Sequence, residues 1–255
     1  MSAGSPASQA ATRSLAEVAH RRALGWGALA LGFYEPTPEW VQALRSGRVR
    51  ADLTAAVSWL DVDGERFEPH LALLAAAEQQ AAARPADEVH TDLSVEYARL
   101  FIGPGPAVAS PYESVWCDTD EGEGQPLVHG PSTLQVEEAY TRYGVRMAAG
   151  RHDLADHVAS ELEFLHFLCR QEEQAWHAGG AEDVARARSV RADGQQFLRD
   201  HLGRFLPDVC EAVGSGTVED VYRALAGLAT EFLSIETGSD YASTVLSGVF
   251  SHATP

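Results

Sequence analysis

The side chains able to do chemistry gather between residues 94 and 169. His157 and Glu161 stand four apart, which puts a base and an acid on one helix face. Asp156 beside them completes a small polar cluster at the edge of an apolar stripe. Further upstream, Tyr112, Glu113, Ser114 and Trp116 follow Pro111 directly. Aromatic rings flanked by a carboxylate suit a peptide that is basic at one end and apolar at the other. The same residues also fit structural roles. Asp156 and His157 can start a helix, and Tyr112 and Trp116 can plug the core beneath their own loop.

Other chemistries find little support. The chain contains no lysine, which excludes an ordinary phosphate-binding P-loop, and it has no G-x-G-x-x-G after a strand. There is no G-x-S-x-G nucleophile elbow. E-x-x-H pairs occur at Glu17/His20 and Glu163/His166, as in carboxylate-bridged di-iron bundles, with Glu96 and Glu137 available as the additional carboxylates. With 22 Glu and 10 His, about one such pair arises by chance. No metal or other cofactor is therefore assigned. A di-iron-like helical bundle stays open as an alternative reading. Cys117, Cys169 and Cys210 are too widely spaced for a zinc ribbon or a redox C-x-x-C pair. So sparse a cysteine count suits a reducing compartment.

The elements that must position these residues read as helices. Leu154, Val158, Leu162, Leu165 and Cys169 recur at helical spacing, with Asp153 placed to cap the helix and Asp156 three residues on. Other helices are expected from Thr12 or Ser14 to Phe33, from Pro38 to Leu44, after a cap at Asp52, over 65–83, from Thr91 or Ser94 to Ile102, and from Pro131 to Tyr143. Gly25 and Gly27 weaken the first of these but permit close packing. Later helices cover 181–206, a segment that continues or restarts across Pro207 to Val213, and 218–235. Asp61-Val62-Asp63-Gly64 reads as a turn. Pro104, Pro106 and Pro111 forbid a helix between Ile102 and Pro131. A loop that long is uncommon unless it is functional or disordered, and its aromatics argue against disorder. The expected class is all-α, one globular domain of nine to eleven helices. Residues 1–11 read as a disordered leader, 12–238 as the helical domain and 239–255 as a weakly structured tail.

Net charge is −18 and hydrophobic residues make up 45% of the chain. That composition supports a folded core. The acidity argues against nucleic acid as a partner, and favours a cationic peptide or simple solubility. No run of about eighteen apolar residues suggests a membrane span. The first thirteen residues lack the apolar run of a signal peptide, so a cytoplasmic location is expected.

Three motifs carry a resemblance. Glu96-Tyr97-Ala98-Arg99-Leu100-Phe101, then Pro111-Tyr112-Glu113-Ser114-Val115-Trp116, then Asp156-His157 with Glu161-Leu162-Glu163-Phe164-Leu165 resemble the TorD/DmsD/NarJ family of molybdoenzyme-maturation chaperones. Further on, His201-Leu202-Gly203-Arg204-Phe205 looks like a late family segment, with Phe205 where tryptophan is usual. Ala155 stands where the family usually has proline, and Trp116 where tyrosine is more usual. The resemblance implies an all-helical, non-enzymatic cytoplasmic protein. It would bind the twin-arginine signal peptide, or another segment, of an apo-molybdenum oxidoreductase subunit until the molybdenum cofactor is inserted. It further implies a peptide-binding role for Tyr112, Glu113, Ser114, Trp116, Asp156, His157 and Glu161. In that reading Glu113 and Asp156 receive arginines. A monomer or a helix-swapped dimer is compatible with it. An acidic adaptor for unrelated protein partners is the remaining alternative.

Overall fold

The computed structural model describes residues 6–58, 65–105, 107–119, 125–148 and 153–238, with side chains from residue 12 onward. Among these residues there are eleven α-helices and two isolated β-bridges, without a β-strand. The helices are α1 (Pro6–Phe33), α2 (Pro38–Arg45), α3 (Arg48–Val57), α4 (Glu68–Ala82), α5 (Ala86–Tyr97), α6 (Glu113–Cys117), α7 (Pro131–Arg142), α8 (Val158–Ala178), α9 (Ala181–Asp200), α10 (Leu202–Gly216) and α11 (Asp220–Thr237). The all-α expectation therefore holds. The turn expected at 61–64 and the tail from 239 lie outside the described residues.

The main core runs from Ala23 in α1 to Leu233 in α11, and a smaller cluster of Ala16, Ala19, Ala175, Trp176 and Ala187 joins α1, α8 and α9. The axis of the fold is the pairing of α1 with α8, flanked by α3, α9 and α11. The apolar stripe of α8 explains that position: Val158, Leu162, Leu165 and Cys169 are all at most 3% exposed. Two buried cysteines, Cys169 and Cys210, have thiols pushed up to about 12 by burial. All three cysteines are free. Among the described residues, no helix is long and apolar enough to cross a membrane.

Glycines on α1 let neighbouring helices approach closely. A Cβ at Gly25 would stand 2.7 Å from the Phe232 ring and 3.1 Å from Ala56. Phe232 is buried and packs edge-on against Trp26, so it has little room to retreat. Gly25→Ala is expected to destabilise the fold by about 1–3 kcal/mol despite alanine's better helix propensity. Urea unfolding with an unchanged m-value would show it.

Several helix starts differ from the sequence expectation. Helix α1 begins at Pro6, earlier than Thr12. Helix α3 starts after Gly47, whose φ of 74° suits glycine, and Asp52 sits inside the helix. Helix α5 starts at Ala86 behind Pro85, with Asp87 and Glu88 in the favourable field of its first turn. Thr91 lies within it and donates to the Asp87 carbonyl. The break before α10 falls at His201 rather than Pro207; a Cβ at Gly203 would meet the Leu198 carbonyl at 2.6 Å.

Helix α5 ends in a π-helical turn over Ala98–Ile102, closed by the Gly103 N–H on the Ala98 carbonyl at 2.7 Å. Here the first motif has a structural task. Glu96 is buried and accepts from Arg99 (2.7 Å), from the Thr217 hydroxyl (2.7 Å) and from the Val218 N–H (2.9 Å). It thereby ties α5 to the α10–α11 connection. Burial alone would raise its pKa; these donors outweigh burial and lower it. A lowered carboxyl stabilises the fold above its unfolded pKa, and that contribution is lost as pH falls through the folded value. Glu96→Gln should cost about 1.5–3 kcal/mol at neutral pH. The gap from the parent protein should close on acidification below the carboxylate range, which thermal melts across pH would test.

Candidate functional site

The long connection between α5 and α7 folds back onto the start of α8. Val158 N–H donates to the Pro111 carbonyl at 2.7 Å and Glu113 N–H to the Asp156 carbonyl at 3.0 Å. Tyr112 and His157 form an antiparallel bridge between the two strips. This pairing occupies the backbone of 156–158 and explains why α8 starts late. Its cap is His157, whose Nδ1 accepts from the Ala159 N–H at 3.1 Å. The expected cap at Asp153 is therefore corrected. Asp156 instead serves a different helix: its Oδ2 accepts the Ser114 N–H at 2.9 Å in the first turn of the five-residue α6. That short helix corrects the expectation of none between Ile102 and Pro131: it begins after Pro111 and contains no proline itself.

All seven expected site residues converge here, but at different depths. Glu113, Ser114, Asp156, His157 and Glu161 are at most 1% exposed, whereas Trp116 is 37% exposed. The Trp116 indole N–H donates to the Ser110 carbonyl at 2.8 Å, which leaves its ring at the surface. Glu113 is already engaged: it accepts from His201 Nδ1 at 2.8 Å and from Arg204 at 3.2 Å. Asp156 is occupied by the Ser114 N–H. In this arrangement the buried acids build the wall of the site rather than its lining.

The lining belongs to a neighbouring cavity of about 420 Å³. Tyr112 and His157 contribute to it, together with Tyr34, Glu35, Trp40, Tyr97, Phe101, Ile102 and Asp153. The His157 ring is clamped, stacked on Tyr34 at 5.9 Å and met edge-on by Tyr112 at 5.4 Å. Because Nδ1 accepts a hydrogen bond, the neutral ring carries its proton on Nε2. Two carboxylates, Glu35 and Asp153, face the cavity, and among the described residues its lining includes no arginine. The phenols of Tyr97 and Tyr112 are pushed up, first by burial and then by the charge of Asp153. The cavity thus combines a negative field with aromatic walls, a setting for a cation joined to apolar groups. Tyr34 also separates it from a second cavity of about 250 Å³ lined by Met147, Phe164 and Phe167, and donates to Glu163 there at 2.7 Å.

Sequence reading missed Tyr34, Glu35 and Trp40. They lie around Pro36 and Pro38, far from the motifs in the chain. The one available signal was an aromatic and an acid set in a proline-rich break between helices.

The metal-bundle alternative does not assemble. Glu96 is bound by Arg99, Thr217 and Val218, Glu163 by Tyr34, and His166 by the Ala23 carbonyl. Among the described residues, no group of three or more His, Cys, Asp or Glu is arranged to hold a metal ion.

Comparison with known proteins settles the relationship. The nitrate reductase delta subunit family profile matches residues 65–211, more than half of the chain. The chain belongs to that family. The matched segment contains all three motifs and the His201 segment, so the TorD/DmsD/NarJ resemblance is upheld. Among relatives, the chaperone protein TorD of Vibrio cholerae is 27% identical over 146 residues, 57% of this chain and 61% of its own. The selenate reductase assembly chaperone of Thauera selenatis is 31% identical, covering 47% of this chain and 56% of its own. The chlorate reductase assembly chaperone of Ideonella dechloratans is 33% identical, covering 46% and 54%. The match spans about three fifths of the TorD relative.

Proposed function

We propose that this chain is a cytoplasmic, non-catalytic maturation chaperone for a molybdenum oxidoreductase. It would hold the apo catalytic subunit through its twin-arginine signal peptide or another segment until the cofactor is inserted. The observation that carries the reading is the acidic, aromatic cavity beside the family motif Asp156-His157. The names of the relatives, all assembly or chaperone proteins, support it. So does the acidity of the chain, which steers a cationic segment toward it.

In this reading Tyr112, His157 and Trp116 meet the client segment, and Glu35 and Asp153 take its guanidinium groups. Glu113, Ser114, Asp156 and Glu161 fix the wall from behind. Co-expression with a candidate catalytic subunit tests the function. Capture of the full-length subunit, and loss of capture when its N-terminal segment is deleted, is the expected result. If neither form is captured from cells producing both proteins, the reading falls.

A further inference from the structure

The floor under Tyr112 holds more carboxyl groups than its surroundings can keep charged. Glu113, Asp156 and Glu161 are all 0% exposed. Against them stand the Arg204 guanidinium and the His201 imidazole, both already on Glu113. Among the described residues, neither Glu161 oxygen accepts a hydrogen bond, and Asp156 Oδ1 has no donor either. A fully buried carboxylate without donors is costly, and a neighbouring carboxylate adds repulsion. Protonation removes both penalties, because a protonated Glu161 becomes a donor within reach of Glu113.

We propose that Glu113 and Glu161 form a proton-sharing latch that holds segment 111–118 on α8, and that loss of the shared proton releases the segment and opens the wall of the cavity. The asymmetry of the two partners decides which one moves. Glu161 sits in the first turn of the 21-residue α8, deep in the core, whereas Glu113 begins the five-residue α6. Apart from the latch, the segment is held at the start of α8 by two backbone bonds, the Asp156–Ser114 bond and the edge of Tyr112 on His157. The groups around Glu161 agree on the sign. Burial raises its pKa most, followed by Glu113 and Asp156, with Cys117 of α6 adding to them. Tyr140 of α7 shares the same field and is itself pushed up by burial, while its hydroxyl donates to the Ala155 carbonyl. Arg204 and His201 reach Glu113 from the α9–α10 joint. A raised carboxyl pKa stabilises the closed form at low pH, and that contribution disappears as pH rises through the folded value.

Amide hydrogen exchange of residues 112–118 in the full chain, from about pH 6 to about pH 9 and corrected for intrinsic rates, tests the latch. In the parent protein, protection should fall by about tenfold per pH unit above the folded pKa, while α8 stays protected. Glu161→Gln keeps a donor without a titrating proton, so protection in that variant should be flat with pH. Infrared spectroscopy of the parent protein gives a second readout that needs no variant. A protonated-carboxyl band should persist at neutral pH and vanish over the same range in which protection is lost. Absence of that band at neutral pH, or pH-independent protection of 112–118 in the parent protein, overturns the proposal.

Discussion

Replacing Arg22 with leucine is expected to cost about 3–5 kcal/mol of folding stability at neutral pH. Arg22 is 1% exposed, although its guanidinium is fully charged. Its Nε and Nη2 meet Glu236 at 2.8–3.0 Å and its Nη1 meets Glu172 at 2.7 Å. Leucine would leave two carboxylates buried behind it. Glu172 keeps the Trp176 indole N–H at 3.1 Å and Arg191 at 3.8 Å, so Glu236 bears most of the loss. Glu236 also sits in the last turn of α11, where a negative charge opposes the helix dipole and that turn holds no basic residue to offset it. The double variant Arg22→Leu/Glu236→Leu should recover part of the loss, because it removes the stranded charge along with its partner. A pH series adds an independent check. In Arg22→Leu protonation relieves the stranded buried charge, so the variant regains stability as pH falls and the gap from the parent protein narrows. Urea midpoints measure all three effects. A loss below about 1 kcal/mol would mean that apolar packing alone holds the end of α11.

That network shows where sequence reading stops. Helical spacing identified the buried stripe of α8, and proline placement bracketed the loop between Ile102 and Pro131. Both are local signals, fixed by the 3.6-residue period and by a missing N–H. Glu172 and Glu236 stand 150 and 214 residues from Arg22, and no local pattern betrays the network. The same holds for the cavity. Tyr112 and His157 were reachable because each lies in a motif, but their partners Tyr34 and Glu35 arrive from the end of α1. Asp153 was visible as an acid before a helix, and its natural reading was a cap. The backbone pairing of 111–113 with 156–158 displaced that role, and a tertiary contact of that kind leaves no trace in the residues around Asp153. Burial depth was equally hidden. Glu113 reads as a loop acid and Asp156 as a helix-start acid in the sequence, yet His201, Arg204 and the Ser114 N–H allow both to sit in the interior.

Depth also separates two ways in which an acidic site can receive arginines, and charge reversal at the cavity tells them apart. Glu35→Arg combined with Asp153→Arg is expected to weaken binding of a basic client segment by at least about 100-fold, since each charge-assisted bond contributes about 1.5–3 kcal/mol. Folding should be little affected, because Glu35 is exposed and Asp153 only partly buried. Glu113→Gln should do the opposite. It weakens the ties to His201 and Arg204 in the interior, so it lowers stability, but the folded fraction should bind the segment with nearly unchanged affinity at low temperature. Titration calorimetry with the same synthetic segment, below the melting transition of each variant, compares them directly. Equal affinity losses for Glu113→Gln and the double reversal would place the guanidinium groups at the buried acids, and the 111–118 segment would then have to open for the client to enter. A loss confined to the double reversal keeps the client in the cavity, with the buried carboxyls acting only through the wall they hold in place.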